Sequence, residues 1–136
     1  MATPTKTLRL RPELRAEIER IARRSRRSFS EVAQDLLDEA LRMREVPGVY
    51  FANEPAGREA KVAGTGLGVW EVIRDYLAGG KKMEAVRKAL PHLSPAQVKA
   101  CLLYYERYPE EVRAEIEDNE SLVRRGGRVG RLTRAS

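Results

Sequence analysis

Residues 5–11, Thr-Lys-Thr-Leu-Arg-Leu-Arg, alternate with a period of two: Leu8 and Leu10 share a face with Lys6, while Thr5, Thr7, Arg9 and Arg11 share the other. That is the pattern of a strand. Pro12 closes it and suits the first position of a helix, where Glu13 complements the helix dipole. Leu14, Ile18, Ile21 and Ala22 then recur at helical spacing, which predicts a helix over residues 12–24. Ser25-Arg26-Arg27 interrupts it, and Ser28 with Glu31 forms an S-x-x-E capping box for a second helix. Phe29, Val32, Ala33, Leu36, Leu37, Ala40 and Leu41 give that helix one apolar face, and Pro47-Gly48 stops it beyond Arg44. One strand makes no sheet, and two short helices enclose too little core to hold a fold alone. Pairing the strand with its copy from a second chain satisfies its backbone and lets the helix faces interlock.

These residues resemble the ribbon-helix-helix family, the Arc/MetJ-like repressors. The likeness rests on T-L-R-L-x-P-E-L, a charged helix, a short turn, R-S-x-S-E-V and L-L-x-E-A-L, and it covers residues 5–44. Two positions depart from the pattern: Arg26 stands in the turn where relatives commonly carry Gly, and Arg11 stands where a capping side chain is usual. The resemblance implies an intertwined homodimer whose core draws on Leu8, Leu10, Leu14, Ile18, Ile21, Val32, Leu36 and Leu37. It assigns base reading to the outward strand positions Thr5, Thr7 and Arg9, with Arg11 near the rim. The chemistry agrees: a two-stranded ribbon fits the major groove, Arg donates twice to guanine, and Thr reaches a base edge or a thymine methyl. Ser28, Phe29 and Ser30 open the second helix, where free amides and the dipole bind phosphate; an ordinary capping box also accounts for them. Arg23, Arg24, Arg26 and Arg27 crowd the turn, either as phosphate contacts or as a solvated basic cluster.

Charge is unevenly spread. Residues 1–44 are net +4, residues 45–120 net −3, and residues 121–136 net +5, within a chain that is +6 as a whole. A positive field recruits polyanions, so the middle region is expected to do something other than bind nucleic acid.

That middle region begins with a strand-like Val49-Tyr50-Phe51, followed by glycine-rich residues 53–68 that read as turns. Helices are predicted over residues 69–77, with Val69, Trp70, Ile73 and Leu77 on one side, and over residues 83–90. A third is capped by Ser94, opens at Pro95 and runs to about Tyr108 with Val98, Leu102 and Tyr105 as its apolar face; a fourth opens at Pro109 and fades near Asn119. Trp70, Tyr76, Tyr104, Tyr105 and Tyr108 are expected to fill this small core rather than to stack on bases. The features G-T-x-x-x-V-W, L-x-x-G-x-x-x-E-x-V and P-H-L-S-x-x-x-V-x-A-x-L-x-Y resemble a small helix-turn-helix family often found in bacterial antitoxins. Gly66 stands where relatives often carry a basic residue. Because Glu106 and further acids accompany Lys99 and Arg107, the module reads as one for protein interaction or dimerisation.

Catalysis finds no support. Gly64-Thr65-Gly66-Leu67-Gly68 lacks the spacing and the Lys-Ser/Thr pair of a phosphate loop. A single histidine, His92, and a single cysteine, Cys101, make neither a metal site nor a nucleophile with its base. No cofactor is expected. No apolar run nears the roughly 20 residues of a membrane helix, and residues 1–6 lack the apolar core of a signal peptide. With one cysteine there is no internal disulfide, which points to a reducing cytoplasm. The tail, residues 121–136, carries Arg124, Arg125, Arg128, Arg131 and Arg134 without an acid. In VapBC-type pairs, which the two regions together resemble, an antitoxin's C-terminal arginine enters the carboxylate-lined metal site of a PIN-domain ribonuclease. Nonspecific attraction to DNA explains the tail equally well.

The expectation is a mainly α chain in three parts: a ribbon-helix-helix DNA-binding and dimerisation module at residues 1–45, a helix-turn-helix-like domain at residues 46–120, and a basic tail at residues 121–136. It would act as a cytoplasmic, dimeric antitoxin that binds operator DNA, represses its own transcription and neutralises a PIN-domain toxin. The alternatives are a stand-alone dimeric repressor and a protein-binding adaptor.

Overall fold

The computed structural model describes residues 3–124. The described residues are mainly helical, with six helices and one two-stranded antiparallel sheet. They fall into two compact units, one ending at Arg42 and the other beginning at Met43.

The first unit contains α1, Pro12–Ser25, and most of α2, Phe29–Glu45. Arg11 precedes α1 in an extended conformation and gives it no side-chain cap, while Pro12 supplies the pre-set first turn. At the other end Arg26 adopts left-handed angles, φ 55° and ψ 42°. Its N–H donates to the Arg23 carbonyl at 3.4 Å and that of Arg27 to Ala22 at 3.0 Å, closing a Schellman cap on an arginine. Ser28 and Glu31 make the expected capping box: the Glu31 amide donates to Ser28 Oγ and the Ser28 amide to Glu31 Oε1, both at 3.1 Å. Both helices match their sequence-based bounds to within about one residue. Residues 3–11 carry no strand assignment. A single chain offers them no second strand, so this says nothing against pairing with a copy.

In the second unit β1, Val49–Glu54, pairs with β2, Gly57–Val62, in a register running from Val49 opposite Val62 to Glu54 opposite Gly57. This corrects the reading of residues 53–68 as turns. Glu59-Ala60-Lys61-Val62 does alternate, but the period is carried by only two apolar residues, one of them Ala, between Gly57 and Gly64, and the glycines read more strongly as turns. Four helices follow: α3, Val69–Ala78; α4, Met83–Ala89; α5, Pro95–Arg107; and α6, Pro109–Arg124. The last extends beyond the expected fade at Asn119. Ser94 and Gln97 cap α5 reciprocally, and the Gln97 side-chain amide also donates to the Ala63 carbonyl at 3.0 Å, tying α5 to the end of the hairpin.

One core serves this unit. Val46, Val62, Val69, Val72, Ile73, Val86, Val98, Cys101, Tyr104 and Val112 are fully buried in it. The face of α5 therefore differs from expectation. Cys101 and Tyr104 point inward beside Val98, whereas Leu102 and Tyr105 are only partly buried. The helix is packed by α3, α6 and β2, and the Tyr104 ring sits against Phe51 at 6.4 Å and Tyr108 at 4.9 Å between centroids. The aromatic residues thus join the core: Trp70 and Tyr104 are buried, and Tyr76, Tyr105 and Tyr108 pack against them. Among the described residues no helix is long and apolar enough to cross a membrane.

Candidate nucleic-acid interface

Thr5, Thr7, Arg9 and Arg11 are all exposed, and Arg11 marks the point where extended chain becomes helix. Between them Leu8 is 67% exposed and Leu10 half-buried. The apolar side of the segment is therefore uncovered within one chain.

The helices show the same condition. Of the apolar residues assigned to a dimer core, Val32 is buried and Ile18 half-buried; Leu14, Ile21, Leu36 and Leu37 are exposed. Leu41 joins them at 60% exposed. A shallow cavity of about 430 Å³, lined by Arg15, Glu19, Ala22, Arg23 and Phe29, opens between α1 and the start of α2. Every large hydrophobic residue that is exposed among the described residues lies between Leu8 and Met43. Apart from Met43 at its very start, the second unit encloses its large apolar side chains among the described residues; the first does not.

The α2 N-terminus divides the expected phosphate contacts into two groups. The Ser28 amide is taken by Glu31, and the Arg27 guanidinium is held by Asp35 Oδ2 at 2.6 Å. Hydrogen bonding from the Ser28 amide and hydroxyl holds the Glu31 carboxyl below its ordinary value, so it is charged at neutral pH. Asp35 likewise holds Arg27 charged but neutralises it as a free cation. The amides of Phe29 and Ser30 carry no hydrogen bond among the described residues and remain for an anion. Arg23, which lines the same cavity as Phe29, and Arg24 and Arg26 at the preceding turn are exposed, with no ion pair among the described residues. The tail arginines at 125, 128, 131 and 134 lie outside the described residues, as does the side chain of Arg124.

The second unit holds a polar cluster that the sequence reading missed. Glu59 and Lys61 are buried. Trp70 donates its indole N–H to Glu59 Oε1 at 2.8 Å, and Lys61 Nζ donates to Glu54 Oε2 at 2.9 Å and to the Gly66 carbonyl at 3.1 Å. Opposite charges two residues apart, on one face of a strand, were the available signal, but without the strand assignment they had no meaning. Cys101 is buried, and burial pushes its thiol up to about 12. His92 is exposed in the turn before α5. Among the described residues, no group of histidine, cysteine and carboxylate side chains is arranged to hold a metal ion.

Residues 53–105 are similar to a family whose model is described as "Protein of unknown function (DUF433)". The match runs from the end of β1 to within α5, including the buried Glu59–Trp70 pair. No curated protein and no solved structure matches the chain.

Proposed function

We propose that this protein is a dimeric operator-binding antitoxin. Two copies of residues 5–11 form an antiparallel ribbon that reads DNA through Thr5, Thr7 and Arg9, and the C-terminal part engages a PIN-domain ribonuclease toxin. One observation carries the dimeric, DNA-binding half. The first unit leaves Leu8, Leu14, Ile21, Leu36, Leu37 and Leu41 exposed on a strand-like segment and two helices, while the alternate strand positions carry Thr and Arg. A monomer does not sustain such an apolar face in water, and a second copy supplies both the missing strand and the missing core. Bare Phe29 and Ser30 amides, with Arg23, Arg24 and Arg26 nearby, suit the phosphates that flank a ribbon in the major groove. The toxin-binding half rests on the antitoxin resemblance of the second region and on the arginine-rich tail.

The test is a footprint on the DNA upstream of the protein's own coding sequence, followed by Arg9→Ala. An inverted repeat should be protected. Arg9→Ala should cost about 1–3 kcal/mol at one base pair per half-site and relax the sequence preference there. A chain that shifts no genomic fragment overturns the DNA-binding reading. Co-purification with the product of the adjacent gene tests the toxin half, and operator binding without toxin capture leaves a stand-alone repressor.

A further inference from the structure

The cations of the second unit are of two kinds. Arg58 donates to Asn53 at 3.2 Å, Lys61 to Glu54 at 2.9 Å, Arg107 to Glu45 at 2.8 Å and Arg113 to the Tyr105 hydroxyl at 3.1 Å, and Arg74 pairs with Asp75 at 3.3 Å. Each is engaged with its own fold. Lys81, Lys82, Arg87, Lys88 and Lys99 are exposed, and none of their side chains has an ion pair or hydrogen bond among the described residues. These five are consecutive in the chain: between Gly79 and Tyr105 there is no other cation, and Glu84 is the only acid.

The net charge of −3 over residues 45–120 conceals this, because acids and free bases are segregated. Six of the acids, Glu110, Glu111, Glu115, Glu117, Asp118 and Glu120, lie on α6. Four of the free cations lie on α4 or directly before it. A helix of seven residues is about 10 Å long, so Lys81, Lys82, Arg87 and Lys88 are held close together. Val86 anchors the helix to the core, and Arg87 and Lys88 follow Glu84 at the i+3 and i+4 spacing that puts them on its outer side. Concentrated like charge with no internal partner works against the folded state unless a polyanion takes it up.

We propose that residues 81–99 form a second nucleic-acid surface, one that binds the phosphate backbone of duplex DNA without reading its sequence. Two features favour a duplex over an acidic protein. Four of the five cations are lysine, which is depleted in protein interfaces but serves phosphate well as a point charge. No exposed large hydrophobic residue lies near them in the chain, since all such residues among the described ones fall between Leu8 and Met43; a protein partner needs an apolar or aromatic anchor. The surface does not depend on the operator reading and remains if that reading fails.

The experiment is a salt titration of the full chain on a random-sequence duplex, comparing the unaltered protein with the quadruple variant K81A/K82A/R87A/K88A. These side chains hold nothing else in place, so circular dichroism and Trp70 fluorescence should be unchanged. The slope of log affinity against log salt should become shallower by about 0.9 for each lost phosphate contact, or by about 3–4 in all. Lys99→Ala should remove up to about 0.9 more. An unchanged slope overturns the proposal, as does a loss of affinity at constant slope, because counterion release is the signature of phosphate contact. The ratio of operator to random-duplex affinity, measured in parallel, tests the ribbon and not this surface.

Discussion

Trp70 and Glu59 are joined by a buried hydrogen bond of 2.8 Å that links β2 to the first turn of α3. The other Glu59 oxygen lies 3.7 Å from Lys61 Nζ, so one carboxylate answers both the indole N–H and a buried ammonium. Burying these charges is tolerable because Lys61 also meets Glu54 and the Gly66 carbonyl.

The absence of a side chain at Gly68 makes this approach possible. A Cβ there would lie 2.7 Å from Trp70 Cδ1 and Nε1 and 2.9 Å from Glu59 Oε2. Gly68→Ala should therefore push the indole from the carboxylate and destabilise the second unit by about 1–3 kcal/mol. Glu59→Gln keeps an acceptor for the indole and should cost less than Glu59→Ala, which leaves a buried N–H unpaired at about 1–3 kcal/mol. Denaturant unfolding followed by the fluorescence of Trp70, the chain's one tryptophan, reads all three. Equal costs for the Gln and Ala variants would show that the hydrogen bond is not what matters.

The buried thiol of Cys101 gives a pH prediction with a definite sign. Burial raises its folded value to about 12, whereas an exposed thiol titrates near about 8.5. The unfolded chain therefore loses its thiol proton first. The stability tied to the neutral thiol is complete below about pH 8.5 and declines as pH rises towards the folded value. Unfolding midpoints should fall across this window, and Cys101→Ala should remove that part of the decline. Alkylation at pH 8 should be slow in the native protein and fast in denaturant; rapid native labelling would contradict the burial.

Helix ends were legible in the sequence because they depend on local chemistry. Pro12, the Ser28–Glu31 box, Ser94-Pro95 and Pro109 each mark a boundary found in the structure. Strand β2 was not legible because its period of two rests on Ala60 and Val62 alone, in a glycine-rich stretch with two charged residues that only the fold shows to be buried. The inner face of α5 was misplaced by one position for a related reason: with neighbours on several sides, both Cys101–Tyr104 and Leu102–Tyr105 look apolar, and only packing chooses between them. Within the candidate interface, composition revealed Arg9 and Arg27 alike as cations. Only the Asp35 contact separates the neutralised one from the free one.

Leu37 is 56% exposed on α2, which gives a direct test of the second copy. In a monomer, Leu37→Glu would touch little and alter stability by no more than about 0.5 kcal/mol. In the dimer it places a carboxylate in the shared core. Sedimentation should show a dimer for the unaltered chain and a monomer for Leu37→Glu at the same concentration. The unfolding midpoint of the unaltered chain should rise with protein concentration, and that dependence should vanish in the variant.

Arg26 sets stability against binding. Its left-handed backbone costs an L-residue roughly 1–2 kcal/mol relative to glycine, and its side chain is exposed in the turn three residues before the open amide of Phe29. Arg26→Gly should relieve the backbone while removing a phosphate contact. The unfolding free energy should rise by about 1 kcal/mol. Affinity for every duplex should fall together, and the log–log salt slope should become shallower by about 0.9. Arg26→Ala separates the two effects, because it loses the same charge but keeps the strained cap. Its DNA affinity should match that of the Gly variant, while its stability should stay near that of the unaltered chain. If Arg26→Gly gains stability with no loss of DNA affinity, the arginine is a solvated cap residue and the phosphate contact belongs to the backbone amides alone.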